Sequence, residues 1–155
     1  MTEFLKASDA LSGTEGRAFL TVNGNVEELF YGKNVEAKVE KSKVEMKVIG
    51  KRATQNKANG WKGTFTLNLY YATPLFRRMM INYIKTGKDE YFDMQVINED
   101  ASSTIGKQTV NLKRCNIDSV ILAKLDADAD LLDEEITGTF EDADMLDEFK
   151  TPSQV

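Results

Sequence analysis

"NVEAKVEKSKVEMKVIGKRATQNKANGWKGTFTLNLYY", residues 34–71, decides the fold. Val35, Ala37 and Val39 alternate with Glu36, Lys38 and Glu40; after an interruption at Lys41-Ser42-Lys43, Val44, Met46 and Val48 resume the period. A period of two marks extended strands with one dry and one wet face. Trp61, Phe65, Leu67, Leu69 and Tyr71 then alternate with Lys62, Thr64, Thr66, Asn68 and Tyr70, so the second run pairs with the first as a hairpin. Residues 50–60 between them, "GKRATQNKANG", carry Lys51, Arg52 and Lys57 and nothing apolar larger than alanine. Such a segment packs no core of its own and is expected to be a long, mobile hairpin loop with a functional role.

Upstream, "RAFLTVNGNVEELFY" places Asn23-Gly24 between two β-branched and aromatic runs, which predicts a hairpin with strands at 17–22 and 25–31. Downstream, "TPLFRRMMINYIKTG" predicts a helix over 73–86. Thr73 is its N-cap, Pro74 sits where a missing N–H costs nothing, and Gly87 closes it; Leu75, Phe76, Met79, Met80, Tyr83 and Ile84 form one broad apolar face. Further strands are expected at 91–98, 107–113, 117–125 and 134–140. The predicted class is α+β, mostly β: curved antiparallel sheets forming a sandwich or open barrel, with one main flanking helix.

The 155 residues suit a single domain, 1–155, able to bury a core without disulfides or a structural metal. The one cysteine, Cys115, has no partner in the chain, and "MTEFLKASDALSGTEG" lacks the apolar run of a signal peptide, so folding in a reducing cytosol is expected. No window approaches the roughly 18 apolar residues of a spanning helix, and no membrane insertion by this chain is expected. Histidine is absent, which removes Ser-His and Cys-His nucleophilic pairs and imidazole metal sites. No enzyme and no cofactor is expected. Cys115, in "LKRCNID", reads as a small buried hydrophobe, and Met79-Met80 as core.

"LDADADLLDEE", residues 125–135, puts six carboxylates into eleven positions. A calcium loop aligned on Asp126, Asp128 and Asp130 would need glycine and glutamate where Leu131 and Thr137 stand, so no metal site is expected. Spacing alone leaves catalytic carboxylates open, but a charge run of this kind reads as a solvated face. Residues 1–125 carry 19 basic and 14 acidic side chains, and 126–155 carry 1 and 11. Within the first part, 33–62 hold nine basic and three acidic groups. Two arrangements remain open: the poles attract head to tail between copies, or they neutralise each other within one subunit. Tight nucleic-acid binding is disfavoured by the overall charge of −5 and by Glu36, Glu40 and Glu45 among the bases.

Taken in order, "SGTEGRAFLTVNG", "KVIGKRATQNKANGWKGT", "TPLFRRMM", "TGKDEYFDMQVINEDASSTIGKQTV", "RCNID" and "LLDEEITGTFEDADMLDEF" resemble the tail tube proteins of contractile-tailed phages and PBSX-like defective phage particles, along nearly the whole chain. The resemblance implies a structural protein of the virion tail's inner tube, assembled in the host cytoplasm. Its subunits would form hexameric rings that stack into a hollow tube, with partners in the tail sheath, baseplate and tail terminator, and DNA would pass along the lumen without specific binding. Neighbouring subunits would join their strands into one lumen-lining barrel, which removes exposed sheet edges. On that reading Glu36, Lys38, Glu40, Glu45, Thr64, Thr66 and Asn68 are the lumen-facing candidates. Lys51, Arg52, Gln55, Asn56, Lys57 and Asn59 of the 50–60 loop, with the N-terminal arm 1–16, are the inter-subunit candidates, and the acidic C-terminal region 126–155 is a solvated or inter-subunit surface. The other readings are a tube protein of a secretion system or bacteriocin-type particle, and a monomeric β-barrel binding module.

Overall fold

The computed structural model describes residues 5–29 and 32–152. Its described residues form β1 (Gly16–Val22), β2 (Asn25–Glu28), β3 (Gly32–Met46), β4 (Gln55–Tyr70), α1 (Leu75–Thr86), β5 (Phe92–Glu99), β6 (Lys107–Ser119), β7 (Asp133–Phe140) and β8 (Asp142–Asp147). Asn23 (φ 51°) and Gly24 (φ 83°) both adopt the left-handed conformation that a tight two-residue hairpin turn needs. The end of the expected strand 25–31, residues 30 and 31, lies outside the described residues.

All strand pairs are antiparallel, in one open sheet ordered β2-β1-β5-β6-β7-β4-β3, with β8 also paired to β6. The sheet turns its corner within β6. Residues up to Cys115 pair with β5, while Asn116, Ile117 and Ser119 pair with β7. At the junction Arg114 takes a left-handed φ of 52°, and the β5 register slips between Phe92 and Met94. A bulge of this kind bends a strand and sharpens its twist, so two arms of the sheet close over a common core. Leu20, Met94 and Leu112 come from one arm and Phe65, Leu67, Leu69 and Ile136 from the other, all at most 3% exposed. Phe92 joins them to the helix, its ring 6.1 Å from those of Phe65 and Phe76 in edge-on geometry. Each fully buried side chain of this size contributes about 1.5–3 kcal/mol.

The expected α+β, mostly β class with a curved antiparallel sheet and one flanking helix is the one observed. Details differ. The strands expected at 107–113 and 117–125 are one strand kinked at Arg114 and ending at Ser119, and β8 was not anticipated. The helix begins two residues after Thr73, whose Oγ1 accepts a bond from the Leu75 N–H at 3.3 Å; Gly87 (φ 75°) closes it by donating to the Tyr83 carbonyl at 2.9 Å. Phe76 and Met79 are buried, but Tyr83 and Ile84, expected on the same face, are exposed, because the core supports only the first turns and every residue from 81 to 87 faces solvent.

The described part of the N-terminal arm is clasped to its own subunit. Asp9, in a single 3-10 turn (Ala7–Asp9), is buried and its Oδ1 accepts from the Thr104 N–H (2.9 Å) and hydroxyl (2.7 Å). Asp100 accepts from the Ser12 N–H at 2.9 Å and from Ser102. These bonds hold both carboxyls below the usual carboxylate range.

Candidate functional site

β3 ends the sheet path: one edge pairs with β4 over 14 register partners, and its other edge has no strand beside it among the described residues. From Asn34 to Ser42 the register is continuous and makes the faces of the hairpin explicit. Asn34, Glu36, Lys38 and Glu40 lie opposite Asn68, Thr66, Thr64 and Lys62, and β7 adds Glu135, Thr137 and Thr139 beside Asn68, Thr66 and Thr64. Ser119 on β6 extends this polar surface, its hydroxyl 2.8 Å from that of Thr137. Six of the seven lumen candidates therefore share one wet face, turned away from Phe65, Leu67 and Leu69. Glu45 does not. β3 runs on through Lys41-Ser42-Lys43, the extra residue of the register shift there lying on β4, so alternation along β3 carries Glu45 to the side of Val35, Ala37 and Val39. The β7 residues of the wet face were missed, although Glu135, Thr137 and Thr139 alternate with Glu134, Ile136, Gly138 and Phe140 in the sequence.

The expected loop at 50–60 is shorter. Pairing runs on through Met46↔Gln55, so the connection spans 47–54, with Lys51 and Arg52 exposed in it. Gln55, Asn56 and Lys57 belong to the ladder, opposite Met46, Glu45 and Val44, and Asn59 is the extra residue of a bulge between Ser42↔Gly60 and Lys43↔Ala58. A ladder is built from backbone groups, which is why a segment with no large apolar side chain still extends the strand.

The acidic region divides. Asp126, Asp128 and Asp130 are exposed, as expected of a solvated run. Asp133 pairs with Lys33 (3.0 Å) and Lys124 (3.4 Å), which hold its carboxyl low, and Asp133 in turn raises the pKa of the Lys33 ammonium. Glu134 departs from the solvated reading: it is buried, 2.6 Å from Arg77 of α1, and its burial raises its carboxyl above the usual range against the pull of that guanidinium. Glu141, Asp144 and Asp147 pair with Arg114, Lys113 and Lys107. Neutralisation within the subunit thus takes up much of the acidic pole. The basic hairpin is largely left out of it: among the described residues Lys43, Lys47, Lys51, Arg52 and Lys57 form no ion pair.

Cys115 is fully buried, its thiol donating to the Leu112 carbonyl at 3.5 Å, and desolvation pushes its pKa up to about 12, far from nucleophilic. Among the described residues no group of three or more carboxylate or thiol side chains is placed to hold a metal ion, and no helix is long and apolar enough to cross a membrane. Among the described residues the surface that stands out is a strand edge with no neighbour, a wet face and a basic hairpin.

Comparison with known proteins agrees with that geometry. Residues 3–147 match the family described as "Phage tail tube protein". The chain is 43% identical over 141 residues to the phage-like element PBSX protein XkdM of Bacillus subtilis, covering 91% of this chain and 93% of the relative. It is 42% identical over 147 residues to the uncharacterized protein YqbM of the same organism, covering 95% and 97%. Its fold is similar to a chain of the sheath-tube complex of PVC, an extracellular contractile injection system in the extended state, with TM-score 0.64 and 18% identity over 90% of this chain and 93% of that one. The chain belongs to the phage tail tube protein family, and its role is that of a structural component of the tail tube.

Proposed function

We propose that copies of this chain assemble into hexameric rings that stack into the hollow inner tube of a contractile tail, through which DNA passes. The observation that carries the reading is the edge of β3, fifteen residues long, which no strand covers among the described residues, beside a wet face spread over β3, β4 and β7. A long unpaired edge templates pairing with another chain, and a ring removes it by joining the edges of neighbours. The wet face then lines the lumen. Its charged members among the assigned residues, Glu36, Lys38, Glu40, Lys62 and Glu135, include more carboxylates than bases, and the rest are threonine, asparagine and Ser119. A wall with few unpaired fixed cations gives phosphates little to hold, so DNA slides.

The sheath, baseplate and terminator are its partners in the particle, assembly takes place in the host cytoplasm, and the subunit has no catalytic role. The fold similarity to a chain of a sheath-tube complex supports the first of these. The test is sedimentation velocity and negative-stain microscopy of the purified chain over rising concentration. Six-fold rings and then rods are expected; a strictly monomeric protein throughout would overturn the reading.

A further inference from the structure

The β3–β4 hairpin carries two apolar patches on opposite faces, displaced along its length. Val39 and Trp61 belong to the face that holds Phe65 and Leu67, where Trp61 leans on Phe140 with ring centroids 6.1 Å apart. They border an open cleft of about 410 Å³ lined by Val39, Lys41, Ala58, Gly60 and Trp61 from the hairpin and by Asp142 and Ala143 from β8. Further out, alternation turns Val44 and Met46 to the other face, that of Glu36, Lys38 and Glu40. None of the four is covered by its own subunit: Val39 is 53% exposed, Trp61 48%, Val44 52% and Met46 48%.

We propose that consecutive copies pack front to back through these patches, Val44 and Met46 of one copy seating in the Val39–Trp61 cleft of the next. The inference rests on the self-assembly reading and adds to it one contact between copies. A single chain cannot bring opposite faces of one hairpin together, but a second copy can. The contact uses two different surfaces, so it repeats from copy to copy and does not stop at a dimer. Charge favours the same arrangement. The outer hairpin carries Lys43, Lys47, Lys51, Arg52 and Lys57 around the single carboxylate Glu45. One wall of the cleft is β8, whose Asp142 takes part in no ion pair among the described residues. Asp142 thus offers the bases of one copy's outer hairpin a counter-charge on the next copy.

The test is cross-linking with a short bismaleimide, using the chain with native Cys115, whose buried thiol does not compete. A Met46→Cys chain mixed with an Ala58→Cys chain is expected to give linked dimers, and a chain carrying both substitutions a ladder of higher oligomers; neither single variant alone should link. Linking of M46C to itself would mean a two-fold contact and would overturn the proposal. Rings or rods that form without the mixed product would overturn it and leave the tube reading standing, whereas a chain that stays monomeric would remove both. Independently, V44S/M46S should keep the native circular dichroism spectrum and raise the concentration needed for assembly about tenfold or more. An unchanged assembly concentration would also overturn the contact.

Discussion

Arg77 on α1 and Glu134 on β7 meet at 2.6 Å, and this ion pair ties the helix to the sheet with the Glu134 side chain fully shut away from solvent. Arg77 also donates to the Thr73 carbonyl and lies over the Tyr71 ring, 4.2 Å from its centroid. One Glu134 oxygen, Oε1, accepts no hydrogen bond among the described residues, so the pair carries its desolvation cost without full compensation.

Removing one partner is therefore expected to be worse than removing both. Arg77→Ala leaves a carboxylate buried alone and should lower the unfolding free energy by about 3–5 kcal/mol, while Arg77→Met with Glu134→Leu should come much closer to wild type. Urea unfolding of the two variants and of Glu134→Leu alone completes the cycle. Equal losses in the single and double variants would show that the pair does not act as a unit.

Gly138 of β7 has no room for a side chain: a Cβ there would collide with the Asn116 carbonyl and the Phe65 ring. Gly138→Ala should cost about 1–3 kcal/mol through displaced core packing. Gly13→Ala is the control, since nothing lies within 4 Å of a Cβ at that position. Thermal unfolding that ranks the two variants equally would contradict this packing.

Periodicity was enough to find the hairpin, the helix and the wet face, because Val35, Ala37 and Val39, or Phe65, Leu67 and Leu69, carry their faces in their own spacing. What it missed is set by partners distant in the chain. The side on which Glu45 lies depends on whether the ladder continues through Lys43↔Ala58, not on its neighbours. Glu134 is buried although Asp133 and Glu135 are not, because Arg77, 57 positions away, arrives beside it. The corner in β6 is made at Arg114, a residue type that gives no hint of a left-handed backbone. β8 is an acidic strand, and its Asp144 and Asp147 side chains answer Lys113 and Lys107 across the sheet.

The clasp between the N-terminal arm and the 100–105 turn predicts a pH dependence. Asp9 and Asp100 have carboxyls lowered by hydrogen bonds, first from the Thr104 and Ser102 side chains respectively, so the folded state prefers them ionised. Their contribution is full above the unfolded value of about 4 and is lost as pH falls through the lower folded values. Asp9→Asn should be less stable than wild type at pH 7, with the gap narrowing as the pH drops below about 4. Thermal melts of both proteins across that range check this; a gap independent of pH would show that the charge on Asp9 is immaterial.

The tip of the long hairpin should matter to assembly and not to folding. Lys51 and Arg52 are exposed, lie in the 47–54 connection outside the ladder, and join no ion pair among the described residues. Substituting both with glutamate should leave the circular dichroism spectrum intact and change stability by less than about 0.5 kcal/mol. Assembly should weaken, because the outer hairpin is basic and Asp142 at the receiving cleft joins no ion pair among the described residues, so reversed charges repel where the native ones attract. Wild-type assembly should itself weaken as salt is raised to about 1 M, where the screening length falls to about 3 Å, and the double variant should lose that sensitivity. Sedimentation of both proteins across a salt series decides between a contact and a dangling loop. Tubes formed by the double variant at the wild-type concentration would reject the contact, and lost secondary structure would show that the tip supports the fold of its own subunit.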